Sequence, residues 1–380
     1  MADPLGPQRH RFDIPDEVAY LNCAYFSPQP LAVREAGLAA LDVKSHPWNV
    51  VPDDFFSPGE RLRRLFAGLV NGDADGVAFA PSVSYAVGVA ARNVEVGAGR
   101  NVVMLAEQFS SDVYPWRARV AEGGGDIVTV PHPGDAAWTD ALLEHIDDDT
   151  AVVAVSNVHW TDGRKVDLAR VGAAVRDVGA ALVVDVSQSL GAVPFDVEAV
   201  RPDFVVAVGY KWLMGPYSHG YLWAAPHRRE GAPIEETWTS RMGSEDFSRL
   251  VDYTDELKAG ARRYDYGEWS NFTLMPMATA ALELITELGP ERIGATIAPL
   301  TERLERGSAE IGLQPVHSDH RFEHLMGVRF PGGIPDALRP ALAAANVHVS
   351  VRSDSIRVSP NVYNTAGDID RLLEVFDSIV

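Results

Sequence analysis

The chain has 380 residues, 46 % of them hydrophobic, a length that predicts a large domain with a smaller one attached rather than a single core. Its net charge of −20 argues against nucleic acid or an anionic membrane surface as a partner. The single cysteine, Cys23, excludes an intrachain disulfide and a thiolate metal cluster, which suits the cytoplasm.

The opening stretch, MADPLGPQRHRFDIPDE, lacks the apolar core of a signal peptide, and no run of about 18 apolar residues is present to span a bilayer. The expectation is therefore a soluble cytoplasmic protein. Residues 1–20 read as an N-terminal arm, 21–274 as a large domain and 275–380 as a small C-terminal domain.

Seven short apolar, β-branched runs follow in order: VAFA (77–80), VVMLAE (102–107), DIVTVP (126–131), AVVAVSNV (151–158), ALVVDVS (181–187), FVVAVG (204–209) and HGYLWA (219–224). Continuous rather than alternating apolar runs predict strands covered on both faces. Segments between them, such as DLARVGAAVRDVGA, carry apolar residues at helical spacing and stop at glycine. The pattern predicts an α/β fold, a mostly parallel seven-stranded sheet with helices on both faces. After about residue 230 the sequence turns polar, aromatic-rich and poorly periodic. A helix, MATAALELITELG, then leads into an α+β part, with a hairpin of NVHVSVR and SIRVSP around Ser353 and Asp354 and a closing helix, DIDRLLEVFDSIV.

In an open parallel sheet, ligands bind outside the carboxyl ends of the strands. Those ends offer Ser82 and Ser84 at a helix start, Phe109, Asn157, Asp185 with Gln188, and Tyr210 with Lys211. Lys211 is one of only four lysines and lies in GYKWLMGP, between an apolar strand and a return to apolar residues, so an amine rather than a mere charge is wanted there. Each residue has a plainer alternative. Ser82 can cap a helix, Asp185 can form a turn, Lys211 can snorkel from the sheet end and Arg357 can be a surface arginine on a hairpin.

Together the parts suit pyridoxal 5′-phosphate. A helix N-terminus binds phosphate, a carboxylate keeps a pyridine nitrogen protonated, an aromatic face stacks on the ring, and a desolvated lysine forms a Schiff base.

VVDVSQSLG followed by GYKWLMGP resembles the core of the class V aminotransferase superfamily. These are fold type I pyridoxal phosphate enzymes that include cysteine desulfurases, kynureninase and isopenicillin N epimerase-like proteins. YLNCAYFSPQP, FSSDVYPW and IRVSPNVYNT resemble the family's N-terminal, ring-stacking and C-terminal arginine segments. The resemblance implies that Lys211 forms the Schiff base and moves the Cα proton, Asp185 pairs with the pyridine nitrogen, and Gln188 and Asn157 approach the phenolic oxygen. It further implies Phe109 on the ring, Ser82, Val83, Ser84 and Tyr210 at the phosphate, Arg357 and Asn22 at the substrate, and a homodimer with its sites near the interface.

Departures from the family pattern bear on the reaction. The loop before Arg357 has no cysteine, so a persulfide-forming desulfurase is not expected, and Cys23 reads as a small residue in a packed turn. Glu268 falls about where relatives place a threonine that reaches the neighbouring subunit's phosphate, with Ser270 or Asn271 as possible substitutes. His317, His320 and His324 fit no metal spacing known from mechanism.

The expected activity is a reaction of an α-amino acid through an external aldimine and Cα deprotonation. Tyr-Lys, as in kynureninase-like enzymes, favours Cβ elimination, with a cysteine conjugate as a candidate substrate, over transamination or epimerisation. A nicotinamide dehydrogenase would need Gly-x-Gly-x-x-Gly after the first strand, where the chain reads PSVSYAVG. A silent binding protein on the same fold would not need both Lys211 and Asp185.

Overall fold

A computed structural model describes residues 2–134 and 136–380. The chain starts with a two-residue strand, β1 (Ala19–Tyr20), and two helices, α1 (Leu31–Ser45) and α2 (Ser57–Leu69). The large sheet follows: β2 (Val77–Ala80), β3 (Asn101–Leu105), β4 (Asp126–Val130), β5 (Thr150–Ser156), β6 (Ala181–Asp185), β7 (Phe204–Val208) and β8 (Gly220–Ala224). Its helices are α3 (Val83–Asn93), α4 (Ser110–Gly123), α5 (Trp138–Leu143), α6 (Leu168–Asp177) and the single turn α7 (Val197–Val200). All seven strands fall on the runs expected from sequence.

The strand order is β2-β8-β7-β6-β5-β3-β4. Pairings from β4 through β7 are parallel, and β8 runs antiparallel to both β7 and β2. The sheet is thus mostly parallel with an antiparallel edge. β6, β7 and β8 are buried along their whole length, as strands covered on both faces must be.

Two apolar clusters sandwich the sheet. One contains Val153, Val155, Val184, Val205 and Trp212, the other Val152, Val183, Phe204 and Val206. The period-2 alternation along each strand sends neighbouring valines to opposite layers.

The remainder comprises α8 (Leu274–Leu288), α9 (Pro290–Glu310), β9 (Gln314–Pro315), β10 (Met326–Arg329), α10 (Leu338–Ala344), β11 (Val347–His348), β12 (Ser350–Arg352), β13 (Ser355–Val358) and α11 (Ala366–Asp377). β12-β13-β10-β9 form an antiparallel sheet, with the expected hairpin turning at Ser353 (φ 52°) and Asp354. A third apolar cluster lies under it, from Leu300 on α9 to Phe376 on α11, and takes in Ala19 and Leu21. β1 pairs in parallel with β11, so the N-terminal segment is tied to the C-terminal part before it passes the large sheet. Helix α8 packs instead on α1 and α2, with Met275, Ala278, Leu282 and Ile285 in the large-sheet cluster. No helix among the described residues is long and apolar enough to cross a membrane.

Candidate active site

β7 ends at Val208, and the chain then folds back on itself: Gly215 N–H donates to Gly209 O (2.8 Å), Gly209 N–H to His219 O (2.9 Å) and Met214 N–H to Lys211 O (3.0 Å). Gly209 is required here, because a Cβ would stand 2.6 Å from His219 O. This closed loop buries Trp212, Leu213 and Met214 and sets Lys211 at the carboxyl end of the sheet.

Lys211 is 8 % exposed and has no ion-pair partner among the described residues. Its Nζ lies 5.4 Å from the Phe109 ring centroid and 5.8 Å from that of Tyr210. Burial pushes its pKa down to about 8, and the guanidinium of Arg357 adds to the effect against the opposing pull of Asp185. The side chain is therefore close to neutral at mildly alkaline pH.

A cavity of about 270 Å³ opens beside it. Ser82, Val83, Phe109, Asp185, Gln188, Tyr210 and Lys211 line it, as sequence reasoning expects, together with Asp112, Trp160, Ser187 and His219, which sequence reasoning missed. Ser82 is the N-cap of α3, its Oγ accepting from Tyr85 N–H at 3.2 Å, so the capping alternative holds while the first turn of that helix still faces the cavity. The plainer reading of Lys211 fails, since a snorkelling amine would reach water.

Three expected residues sit differently. Ser84 lies on the exposed side of the first turn, 2.9 Å from Ser82 Oγ, and does not line the cavity. Asn157 does not line it either. Its Oδ1 accepts from Ser189 Oγ at 2.8 Å and the residue faces a separate 460 Å³ cavity, because β5 ends one residue earlier. Asn22 does not line the cavity beside Lys211, and instead accepts at 2.7 Å from the Oγ of Ser350, the residue directly across the β12–β13 ladder from Arg357. Gln188 lines the cavity, but its amide also ties two segments, donating to Ala24 O at 3.2 Å and accepting from Trp212 Nε1 at 3.4 Å.

Asp112, on the first turn of α4, is 3 % exposed, and its carboxyl is within hydrogen-bond reach of Asp185. Burial and the neighbouring Asp185 charge push Asp112 well above the usual carboxylate range, so it holds the proton that the pair shares. Asp185 is raised by burial, but the Ser187 Oγ and N–H, the latter at 2.7 Å, pull it back towards the ionised form. The only sequence signal for Asp112 was its spacing, three residues after Phe109 on a helix start.

Arg357 is 1 % exposed; its Nη1 donates to Trp160 O at 2.7 Å, and its Nε has no hydrogen-bond partner. It is no surface arginine. Cys23 is fully buried, with its thiol pushed up to about 12 by desolvation and Asn361 Nδ2 donating to its sulfur at 3.1 Å; such a thiol is a poor nucleophile. His324 is buried, its Nε2 donating to Gln188 O at 2.6 Å, whereas His317 lies out in solvent beside Asp319.

An unpaired buried amine, a carboxyl pair, an aromatic face and the N-terminus of α3 converging on one cavity suit a flat, phosphate-bearing pyridine aldehyde. This is the chemistry of the fold type I pyridoxal phosphate enzymes. The chain belongs to the class V aminotransferase family, whose model matches residues 54–372. It is 29 % identical over 344 residues to a probable cysteine desulfurase of Methanothermobacter thermautotrophicus, covering 84 % of this chain and 83 % of that one. It is also 29 % identical over 280 residues to the kynureninase of Deinococcus radiodurans, covering 70 % and 65 %. Two structures of C-DES share the fold. One has glycine covalently linked to its PLP cofactor, with a TM-score of 0.89, 19 % identity and 99 % and 100 % of the two chains covered. The other, described as a cystine C–S lyase with its product cysteine persulfide, has a TM-score of 0.87 at 18 % identity and covers 96 % and 98 %.

Proposed function

We propose that the chain is a cytoplasmic pyridoxal phosphate enzyme that removes a leaving group from Cβ of an α-amino acid, with transamination of the same amino acids as the second reading. The observation that carries it is Lys211, a buried amine with a pKa of about 8 that lines one cavity with Asp185 and Trp160, while Arg357, behind the cavity lining, donates to the Trp160 carbonyl. When bound, the cofactor supplies the sink for the electron pair left at Cα.

The chain's own residues do the rest. Arg357 grips the substrate carboxylate through its free donors and fixes the amino acid's orientation. Lys211 Nζ holds the cofactor and then takes the proton from Cα. Asp185, which the Ser187 donors pull back towards the ionised form while Asp112 is pushed up, would pair with the pyridine nitrogen. Phe109 would offer an aromatic face to the cofactor ring, Gln188 an amide to its phenolic oxygen, and Ser82 with the α3 backbone and Tyr210 would hold its phosphate, all being lining residues of the cavity. Trp160 and Trp212 exclude water from around the amine.

Elimination is favoured by Tyr210 preceding Lys211 and by the likeness to a kynureninase and to a structure named a C–S lyase. A persulfide on the enzyme is disfavoured because Cys23 is buried and protonated. A second copy of the chain is the expected partner. Leu38 and Leu41 on α1, Trp48 (76 % exposed) and Tyr253 (94 %) are exposed apolar side chains of the kind a dimer would cover, and Ser270 and Asn271, which would take the place of the family's threonine, line a cavity with Asp42 and Val43 of α1.

The test is direct. The purified holoprotein should be yellow, and borohydride should fix the cofactor to Lys211. Incubated with β-substituted amino acids it should release pyruvate and ammonia. Accumulation of pyridoxamine phosphate instead would establish transamination, and failure to take up the cofactor would sink both readings.

A further inference from the structure

We propose that His159 and Trp160 are positioning residues for the cofactor ring: their side chains hold two consecutive carbonyls of the β3–α4 loop and so set where Phe109 stands at the cavity. This rests on the reading above in which Phe109 offers the ring its aromatic face.

The loop that carries Phe109 has little within it to fix its shape. Pairing of β3 with β4 ends where Ala106 N–H donates to Val130 O at 2.8 Å. Glu107 then takes a left-handed conformation (φ 55°), which is unfavourable for a residue with a Cβ and has to be imposed by its surroundings. Phe109 occupies the N-cap position of α4 and has no side-chain oxygen with which to cap it. Gln108 donates to Asp112 at 2.9 Å, a bond within the same segment that ties the loop to nothing else.

The anchors come from the segment after β5. His159 Nε2 donates to Ala106 O at 3.1 Å, and Trp160 Nε1 donates to Glu107 O at 2.6 Å. The Trp160 ring also meets the Phe109 ring edge to face, with centroids 5.5 Å apart at 73°.

Both anchors are themselves held. Their turn is closed by His159 N–H donating to Arg164 O at 2.7 Å and Gly163 N–H donating to His159 O at 2.9 Å. Gly163 has φ 84° and packs where a Cβ would stand 2.5 Å from Leu325 O, so the turn cannot shift towards the small sheet. The His159 ring is fully buried and stacked on Trp138 at 5.2 Å, with its Nδ1 2.7 Å from Thr161 Oγ1. A carbonyl only accepts, so Nε2 carries the ring proton. Burial lowers the imidazole pKa against the pull of Asp162, and the neutral ring accepts the Thr161 hydroxyl at Nδ1. The neighbours of His159 thus select the tautomer that holds Ala106 O.

The loop leads straight into the first turn of α4, so the same two bonds also set Asp112, another lining residue of the cavity. Placement matters because an aromatic face attracts a flat ring only in contact, and a gap of about 0.5–1 Å forfeits roughly a quarter to a half of the dispersion attraction.

Trp160 also lines the cavity itself, so the experiment has to separate its N–H from its surface. The probe is 4′-deoxypyridoxine 5′-phosphate, which has no aldehyde for Lys211, titrated calorimetrically into cofactor-free protein. Trp160→Phe keeps a ring beside Phe109 and removes the donor; it should weaken binding about three- to tenfold, as should His159→Leu. His159→Gln returns an N–H near the place of Nε2 and should recover part of the loss. In a Phe109→Leu background, Trp160→Phe should cost nothing further, because it acts through Phe109. The visible circular dichroism of bound pyridoxal phosphate, which reads the orientation of the ring, should fall in Trp160→Phe. Unchanged affinity in both Trp160→Phe and His159→Leu, or a Trp160→Phe loss of the same size with and without Phe109, would overturn the proposal. Were His159→Leu unfolded in thermal melts, Trp160→Phe and its double variant would decide. No amino acid enters these measurements, so the elimination reading stands or falls separately, on the release of pyruvate.

Discussion

The carboxyl of Asp112, on the first turn of α4, meets that of Asp185 at the end of β6, and burial together with the Asp185 charge pushes Asp112 well above the usual carboxylate range. Two buried carboxylates cannot both ionise at short range. Asp112 keeps the proton, because Asp185 has the Ser187 donors to stabilise its charge. Asp112→Asn retains a neutral donor of the same shape and should lower kcat/KM by no more than about tenfold, whereas Asp185→Asn should lower it by at least about a hundredfold. Steady-state kinetics of the two variants checks the order; the reverse order would mean that Asp112 is the charged partner.

Lys211 should react as an amine with a pKa near 8. In cofactor-free protein, the rate of Schiff-base formation with an aldehyde should rise with pH and reach half its maximum near pH 8, about two units below a free lysine. Because the folded pKa is depressed, the unfolded chain binds more protons between the two values, so stability should rise with pH above about 8. Lys211→Met removes the cost of the buried charge and should stabilise the cofactor-free protein at neutral pH by on the order of 1–3 kcal/mol, measured by denaturant unfolding.

With Arg357 as the proposed carboxylate partner, Arg357→Gln should raise KM for amino acids by about ten- to a hundredfold through loss of a charge-assisted bidentate contact. Cofactor absorbance should be unchanged, as Arg357 donates to the Trp160 carbonyl and does not itself line the cavity beside Lys211. Arg357→Lys should recover only part of the affinity, because an ammonium lacks the planar fork.

Tyr210→Phe should weaken cofactor retention by about tenfold through loss of one hydroxyl donor. Burial pushes the Tyr210 hydroxyl up to about 12, so it stays a neutral donor at every pH at which the enzyme is assayed. Dialysis against cofactor-free buffer, followed by absorbance, measures the effect.

His324→Phe should destabilise the fold by about 1–3 kcal/mol by leaving Gln188 O without its donor. Burial pushes the His324 pKa down to about 4, so this contact should persist down to mildly acidic pH in thermal melts.

Much of this molecule was legible in the chain because its signals are local. A buried parallel strand must be continuously apolar, so all seven strands of the large sheet could be read from runs such as FVVAVG, and with them the ends that carry Asp185 and Lys211. The hairpin at Ser353 was legible for the same reason, two short apolar runs around a turn. Asn157 shows the limit of that method. It follows a strand end as expected, yet one residue of phase turns it away from the cavity to Ser189.

By itself the sequence determined the strand ladder, the lysine at its carboxyl end and the family pattern, all of which depend on residues near one another in the chain. Only the tertiary structure decided which distant groups would meet. It brought Asp112 against Asp185 across 73 residues of chain, buried Cys23 as an inert thiol, and set Arg352 and Arg357 around Trp160. Burial and proximity between distant segments set these charges and protonation states, and neither quantity is written in local periodicity.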